Sequence, residues 1–338
     1  MKAAVFQGAE RGLVVEERPD LTPGQGQVLL KVGRSGVCGS DLHMTSGRGA
    51  LQLPAGTVVG HEYCGEVVEL GPGVERLRIG DRVAPLPSGG CGQCAACQEG
   101  TPTWCTGQKP PSRFGGYAQY AIADESGSAK LPESLTDEDG ALVEPLSVGL
   151  HGVHLADLQP GSKALVLGAG PIGVGAAFWL KRLGASRVVV SAPSRRRERF
   201  ALAVGADAFI QRGDDLAGEV TEALGGQPDV VVEAAGVPGS IQTSVDLVRK
   251  RGTVLALGML PEPDSFLPMT PLFKQVRLQF SMTYGIRDYE FVVATLAHGG
   301  VEPRAMITET VSLDQLPTVF ESLRGPNEHC KVLIDPFA

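Results

Sequence analysis

The sequence predicts an α/β protein in which a doubly wound parallel sheet is inserted into a partly open antiparallel β-barrel. Short β-like runs separated by glycine and proline turns fill residues 1–85, as antiparallel barrel strands require. From residue 163 onward predicted strands alternate with helices, the pattern of a parallel sheet. An apolar run at 330–334 follows the last helix and would return the chain to the barrel. The parallel sheet is therefore expected to be an insertion.

The barrel strands are recognised by the turn residues that bound them. Gly71-Pro72-Gly73 and Gly80-Asp81 mark the clearest breaks. Further on, acidic residues at 137–139 open a helix expected to reach residue 155, because carboxylates suit the positive end of a helix dipole. The barrel strands are predicted at 1–6, 13–17, 28–33, 63–70 and 82–85.

The parallel sheet is expected to begin with an apolar strand at 163–167 and the glycine turn Gly168-Ala169-Gly170-Pro171-Ile172-Gly173. This G-x-G-x-x-G spacing alone is weak evidence, but here strand, turn, helix and second strand follow in order. The first two glycines would admit the turn and a pyrophosphate, and the third lets the helix pack on the strand. Helices are predicted at 172–183, 240–248 and 288–297, and further strands at 187–191, 209–210, 229–233, 253–258 and 276–280.

Length and charge narrow the class of protein. A chain of 338 residues suits two domains better than one core. A net charge of −8 argues against nucleic acid or an anionic membrane surface as a partner, and the basic run at 195–197 is too short for a nucleic-acid face. No apolar run reaches bilayer length and no signal-like start is present, so we expect a cytoplasmic protein.

One group of residues has the composition of a catalytic zinc site. Cys38, His61 and Glu62 offer a thiolate, an imidazole and a carboxylate close together in sequence, and Glu144 could complete the set. A catalytic zinc keeps one coordination position free for water or substrate. The alternative is that a single Cys and a distant His are ordinary core residues.

A second group has the composition of a structural zinc site. Its four thiolates lie at close spacing and can complete a tetrahedron, which leaves no position for substrate. The two-residue gaps and the odd total of seven cysteines disfavour the alternative of a disulfide pair. A bound metal would hold a loop that has almost no core of its own. The residues are Cys91, Cys94, Cys97 and Cys105.

These motifs resemble those of the zinc-dependent medium-chain dehydrogenase/reductase family. Gly60-His61-Glu62-Tyr63-Cys64-Gly65, followed by Gly71 and Val74, reproduces its zinc alcohol dehydrogenase signature, and Cys38-Gly39-Ser40-Asp41 resembles its first-ligand motif. Within the family, Glu62 beside His61 and the segment 143–148 are similar to the sorbitol/polyol dehydrogenase branch. Ordinary alcohol dehydrogenases of the family have Cys at the place of Glu144.

The resemblance covers nearly the whole chain and implies its domain organisation. It implies a GroES-like (chaperonin-10-like) catalytic domain over 1–146 and 286–338, with a structural zinc lobe at about 88–108. It implies a Rossmann dinucleotide-binding domain over 147–285. Members of the family form dimers or tetramers, so a homodimer or homotetramer is expected.

The resemblance also implies roles for the zinc-site residues. Cys38 and His61 would bind the metal directly. Glu62 and Glu144 would share the remaining duty, one as a ligand and one through a metal-bound water, and the sequence leaves open which does which. Asp41 would be the carboxylate that orients the ligand imidazole, a partner that metal-bound histidines commonly require.

A proton path follows from the same resemblance. Zinc would lower the pKa of the substrate hydroxyl, and Ser40 would take the proton and pass it outward toward His43. Hydride would then move to the nicotinamide, because the cofactor carries the redox step. Ser40 could instead be only a turn residue.

The cofactor is expected to be NADP rather than NAD. Aligned with the family through Gly205-Ala206-Asp207, Ala192 falls where polyol dehydrogenases commonly have the Asp that binds the ribose hydroxyls. The serines and arginines that follow could hold a 2′-phosphate instead. Alternatively, the arginines form a solvated face and NAD binds without the acid. The predicted nucleotide contacts are Gly168, Gly170, Pro171, Ile172, Gly173, Ser191, Ala192, Arg195, Arg196, Arg197, Ala235, Gly236, Leu257 and Met282.

The predicted function is hydride transfer between a secondary alcohol, such as a polyol, sugar alcohol or cyclitol, and a nicotinamide cofactor, which gives the ketone. Ser281 and Met282 stand where sorbitol dehydrogenases have Arg and Tyr, so polyol contacts there are expected to be altered. One alternative is a simple secondary-alcohol dehydrogenase. Another is a non-enzymatic NAD(P)-binding structural or redox-sensing protein, which the intact Cys38, His61 and Glu62 disfavour.

Overall fold

The computed structural model describes residues 1–49, 51–107 and 114–338. Residue 108, the last of the predicted zinc lobe, lies outside the described residues. The chain divides into two compact units, the first made of Met1–Glu144 and Tyr284–Ala338, the second of Pro145–Thr283. Among the described residues, no helix is both long enough and apolar enough to cross a membrane.

The described elements follow the predicted order closely. The strands are β1 (Lys2–Phe6), β2 (Leu13–Glu17), β3 (Gln27–Gly36), β4 (Thr57–Val58), β5 (Glu62–Leu70), β6 (Arg82–Pro85), β7 (Tyr120–Asp124), β8 (Ser128–Lys130), β9 (Lys163–Leu167), β10 (Arg187–Ala192), β11 (Ala208–Gln211), β12 (Val230–Glu233), β13 (Thr253–Ala256), β14 (Arg277–Phe280), β15 (Ile307–Ser312) and β16 (Lys331–Asp335). The helices are α1 (Gly39–Met44), α2 (Ala95–Gln98), α3 (Asp137–Leu155), α4 (Pro171–Arg182), α5 (Glu198–Ala203), α6 (Leu216–Leu224), α7 (Ser240–Leu247), α8 (Met269–Lys274), α9 (Ile286–Ala297) and α10 (Leu316–Ser322).

The first unit is organised around β3, its longest strand. β3 pairs antiparallel with β5, β7 and β16, which gives a sheet of order β15-β16-β3-β5-β6-β8 with β7 also on β3. β1, β2 and β4 form a smaller antiparallel sheet. Val28, Leu30 and Val32 alternate along β3 and are buried in one core cluster, as the two-residue period of a strand requires. The GroES-like fold class is confirmed, although β15 was not predicted and pairs with β16 in parallel.

The second unit is a six-stranded parallel sheet of order β11-β10-β9-β12-β13-β14. Numbered within the unit, this is the 3-2-1-4-5-6 order of doubly wound nucleotide-binding folds, which confirms the predicted Rossmann class. Its central strands are runs of Val and Leu, because strands of a parallel sheet are buried on both faces. The order reverses between β9 and β12, and ligands of such sheets bind at that switch point, beyond the carboxyl ends of the strands.

Candidate active site

Strand pairing between β3 and β5 brings three potential metal ligands together. Gly36, near the end of β3, lies opposite Glu62 at the start of β5, so that Cys38 and His61 approach one another. A Cβ added at Gly36 would lie 2.2 Å from Glu62 Oε2, so only glycine allows this approach. The ligand atoms of Cys38, His61 and Glu62 lie within 4.8 Å of one another. A sulfur, an imidazole nitrogen and a carboxylate oxygen so arranged fit a zinc ion.

Asp41 fixes the orientation of the His61 ring. Its Oδ1 lies 3.0 Å from His61 Nδ1, and its Oδ2 accepts from the Tyr117 hydroxyl at 2.6 Å and from the Cys38 amide at 3.2 Å. A carboxylate partner at Nδ1 keeps the proton there and presents Nε2 to the cluster. Tyr117 itself packs against Gly60, where a Cβ would lie 2.3 Å from its ring. The sequence did not point to Tyr117.

Ser40 lies beside the cluster, at the start of α1. Its Oγ is 3.2 Å from Cys38 Sγ and 3.4 Å from His61 Nε2. His43 is exposed in the last turn of the same helix. Among the described residues no hydrogen bond joins the two side chains, so a proton passing from one to the other needs an intervening group.

Glu62 is neutralised by a buried lysine that the sequence analysis missed. Lys331 Nζ donates to Glu62 Oε1 at 2.7 Å, to Oε2 at 2.6 Å and to the Val37 carbonyl at 3.0 Å. The Lys331 side chain is 1% exposed and that of Glu62 0%. All three ammonium protons are therefore used, and the buried pair satisfies both charges. The one signal in the sequence was a lysine at the head of an apolar strand.

Glu144 lies on α3, outside the group of three ligand atoms that meet within 4.8 Å. Its carboxylate accepts a hydrogen bond from the Tyr284 hydroxyl. Burial raises the pKa of Glu144 to about 7; the charge of His61 opposes this rise and that of Glu62 adds to it. Of the two candidate carboxylates, the structure thus brings Glu62 and not Glu144 into the cluster.

The four cysteines of the predicted zinc lobe also come together. Cys91, Cys94, Cys97 and Cys105 have Sγ atoms within 4.8 Å of one another, and none forms a disulfide. Backbone N–H groups of Cys97 and Thr106 hold the pKa of Cys94 down to about 5, which favours a thiolate. A Cβ added at Gly90 would lie 2.4 Å from Cys97 Sγ, so this loop is shaped around sulfur. Four thiolate donors fit a closed tetrahedral zinc site.

The glycine turn after β9 has the shape expected of a phosphate-binding loop. Gly168 has φ +110°, and a Cβ there would lie 2.8 Å from the backbone of Ala234, which follows β12. A Cβ at Gly173 would lie 2.0 Å from the Gly168 carbonyl oxygen, so helix and turn need glycine to pack. At Gly170 an added Cβ would meet nothing within 4 Å. Glycine at this position is not demanded by the protein's own packing and suits the close approach of a ligand.

The end of β10 carries the other predicted nucleotide contacts. Ser191 Oγ is buried and has no hydrogen-bond partner among the described residues. Ala192 is 7% exposed, and Arg195 forms an ion pair of 2.5 Å with Glu198. Arg196 is exposed. A buried hydroxyl without a partner in the described chain is better satisfied by a polar ligand than by an empty site.

After β12, Ala235 and Gly236 have a fixed backbone. Their amides both donate to the buried Glu233 carboxylate at 2.8 Å, which holds the turn in place. Leu257 follows β13 and is half-buried, whereas Met282 is 65% exposed.

Residues 24–133 match an alcohol dehydrogenase GroES-like domain, and residues 171–298 match a zinc-binding dehydrogenase. A sorbitol dehydrogenase of Bacillus subtilis is 33% identical over 348 residues, which cover 99% of this chain and 97% of that protein.

Two solved structures share the fold over nearly their whole length. One is a zinc-binding dehydrogenase from Sinorhizobium meliloti bound to NADP; it has a TM-score of 0.86 and 32% identity, covering 99% of each chain. The other, an Escherichia coli alcohol dehydrogenase complexed with NADH, has a TM-score of 0.89 and 28% identity, again covering 99% of each chain. Both nicotinamide cofactors thus occur within this fold.

Proposed function

This chain belongs to the zinc-dependent medium-chain dehydrogenase/reductase family, and on that premise we propose that it oxidises a polyol-like secondary alcohol to the ketone with NADP⁺. It is a zinc-dependent alcohol or polyol dehydrogenase that uses a nicotinamide cofactor. The observation that carries the proposal is the close group of Cys38, His61 and Glu62 with Ser40 beside it.

The catalytic zinc would be held by Cys38 Sγ, His61 Nε2 and a Glu62 oxygen. Glu144 lies outside this group and would act through a metal-bound water. Bound zinc would serve as a Lewis acid toward the substrate oxygen, and bound nicotinamide would accept the hydride. Ser40 Oγ would receive the hydroxyl proton and pass it, through an intervening group, toward the exposed His43. Asp41 would keep the His61 ring in one orientation throughout.

The four-cysteine group would hold a structural zinc. It offers four sulfur donors and no position for a substrate, so its contribution is to the order of its loop.

NADP is the proposed cofactor because β10 ends without a carboxylate. Ala192 places no charge at the end of β10, where the ribose is expected to bind. Arg196, four residues further along the chain, is exposed. A guanidinium binds a phosphate through paired, charged hydrogen bonds. Gly168, Gly170 and Gly173 would bring the α4 N-terminus against the pyrophosphate.

The substrate class is proposed to be a sugar alcohol or cyclitol rather than sorbitol itself. The Bacillus subtilis relative is a sorbitol dehydrogenase, and a related protein of Aspergillus niger is a D-xylulose reductase, 33% identical over 311 residues. Ser281 and Met282 replace the Arg and Tyr of sorbitol dehydrogenases, so a polyol would find different contacts there.

A homodimer is proposed from the surface of the second unit. β14 lies at one edge of the parallel sheet, next to β13 alone. Phe280 at its end is 64% exposed, and Leu272 and Phe273 on α8 are 67% and 75% exposed. An exposed edge strand beside apolar side chains is a pairing surface. Sedimentation velocity tests this proposal, which a monomer at micromolar concentration would contradict.

The proposed function is tested by initial rates of hydride transfer on zinc-loaded protein, with polyols, cyclitols and simple secondary alcohols each offered NADP⁺ and NAD⁺. We expect turnover on vicinal diols with NADP⁺. Ala192→Asp should raise KM for NADP⁺ about tenfold or more, because a carboxylate would face the 2′-phosphate. Ala203→Asp, which places the same charge at an exposed position of α5, is the control. Turnover with NAD⁺ alone would contradict the cofactor assignment, and turnover on simple alcohols alone would contradict the substrate assignment.

A further inference from the structure

The carboxylate of Glu144 is held by a residue far away in the sequence, Tyr284. We propose that Tyr284 is a positioning residue, which fixes the Glu144 carboxylate next to the Cys38, His61 and Glu62 group. The inference rests on the proposed function, because it explains how Glu144 is kept ready for a part in that reaction.

The contact itself leaves Glu144 little freedom. The Tyr284 hydroxyl donates to Glu144 Oε1, and no other side chain among the described residues donates to this carboxylate. Glu144 is 6% exposed and Tyr284 7%, so bulk water cannot replace the lost bond. A buried carboxylate without donors is costly, and one that keeps a single donor is oriented by it.

Tyr284 has a rigid anchor of its own. It lies two residues before the start of α9, whose first turn is closed by the Gly285 amide donating to Asp288 Oδ2 at 2.9 Å. The Ile286 amide donates to the Gly100 carbonyl at 3.0 Å, which ties this chain segment to the loop that carries the four cysteines. A Cβ added at Gly285 would lie 2.6 Å from the Gly100 oxygen, so the two backbones are in direct contact. The backbone next to Tyr284 is therefore held in place by contacts that do not involve Glu144.

A neighbouring tyrosine offers a matched control. Tyr289, one turn into α9, is fully buried, and its ring centroid lies 5.4 Å from that of Tyr284. Its hydroxyl lies near that of Tyr284, and no hydrogen bond joins it to the Glu144 carboxylate in the described chain. Tyr284→Phe and Tyr289→Phe each remove one hydroxyl and keep the ring, in the same buried surroundings. Only the first removes a bond to Glu144.

The kinetic test compares these two variants on the best alcohol substrate. We expect Tyr284→Phe to lower kcat about 10- to 100-fold, the range set by one hydrogen bond to a charged group, with KM for the cofactor unchanged. Tyr289→Phe should stay within about twofold of the wild type, because it leaves the hydrogen bond from Tyr284 to Glu144 in place. In a Glu144→Ala background, Tyr284→Phe should have no further effect on kcat, because the two residues act as one unit.

A second readout needs neither metal nor turnover. In metal-free protein, Tyr284→Phe should lower Tm in the wild-type background and leave it unchanged in the Glu144→Ala background. Equal kinetic losses in both Phe variants, or a Tyr284→Phe loss that persists without Glu144, would overturn the proposal. Coupling in Tm with an unchanged kcat would also overturn it, because the bond would then be only structural. A wild-type enzyme inactive on every alcohol would refute the proposed function, while the Tm cycle still decides whether the two residues are coupled.

Discussion

At the scale of single residues, the candidate site depends on a buried cation as well as on metal ligands. Lys331 and Glu62 are both almost completely buried, and Lys331 Nζ donates hydrogen bonds to both oxygens of the Glu62 carboxylate. Breaking such a pair on one side leaves a buried charge without compensation, whereas removing both charges is often neutral. The pair therefore makes the folded state sensitive to either partner alone.

We expect Lys331→Met to lower the free energy of unfolding of the metal-free protein by about 3–5 kcal/mol. Adding Glu62→Gln in the same chain should recover most of that loss, because the unpaired carboxylate is then gone. Lys2→Met is the control: Lys2 pairs with Asp314 on the surface, with side chains 45% and 66% exposed, and should cost less than about 1 kcal/mol. Urea unfolding measures all three. A Lys331→Met loss as small as that of Lys2→Met would contradict this account.

The sequence could predict which candidate metal ligands lie together, but it could not predict their buried partners. Cys38, His61 and Glu62 lie in two short glycine-bearing motifs, so local spacing reveals them. Lys331 lies 269 residues from Glu62, and Tyr284 lies 140 residues from Glu144. No local pattern links such pairs, because only the folded sheet and the start of α9 bring them together.

At the scale of elements, the start of α3 fixes the helix that carries Glu144. Asp139 is fully buried; it accepts from the Thr136 amide at 2.8 Å and from two nitrogens of Arg304 at 2.6 and 2.7 Å. Burial raises the pKa of Asp139, but the bonds from Arg304 and Thr136 outweigh burial and hold that pKa below its ordinary value. Asp139 thus joins the first turn of α3 to the segment before β15.

This lowered pKa sets the pH range in which the contact matters. Because the folded-state pKa of Asp139 lies below the unfolded value, its contribution is complete above about pH 4 and is lost as pH falls through the folded value. We expect Arg304→Met to lower the free energy of unfolding at pH 7 by about 1.5–3 kcal/mol and to flatten its fall in acid. Arg251→Met, at an exposed residue without an ion pair in the described chain, is the control. Parallel acid profiles for wild type and Arg304→Met, measured by urea unfolding, would contradict the assignment.

The buried strands of the parallel sheet were predicted within about two residues, whereas helix α6 and strand β15 were not predicted. The valine and leucine runs of β9, β10 and β12 leave little choice of structure. β15 was missed because only Val311 along it is buried, so it shows no two-residue period. Its strand conformation depends on pairing with β16, which is a tertiary effect.

At the scale of the whole molecule, the order of elements determines where the chemistry can lie. The strand–helix alternation after residue 163 predicts a doubly wound sheet, and its order places Gly168 and Ala234 at the switch point. Which alcohol is bound does not follow from this order, because substrate choice depends on individual side-chain contacts and not on the order of elements.

The most direct test of the central claim is the zinc content and hydride-transfer rate of Cys38→Ser, with Cys64→Ser as its control. Cys64 is buried and donates to the Asp137 carbonyl, and it belongs to neither group of metal ligands in the described chain. We expect Cys38→Ser to lose the catalytic zinc and all measurable turnover, to keep the zinc of the four-cysteine group and to bind NADP⁺ as the wild type does. Cys64→Ser should keep both metals and its turnover. Undiminished hydride transfer by Cys38→Ser would remove the Cys38, His61 and Glu62 group from the mechanism.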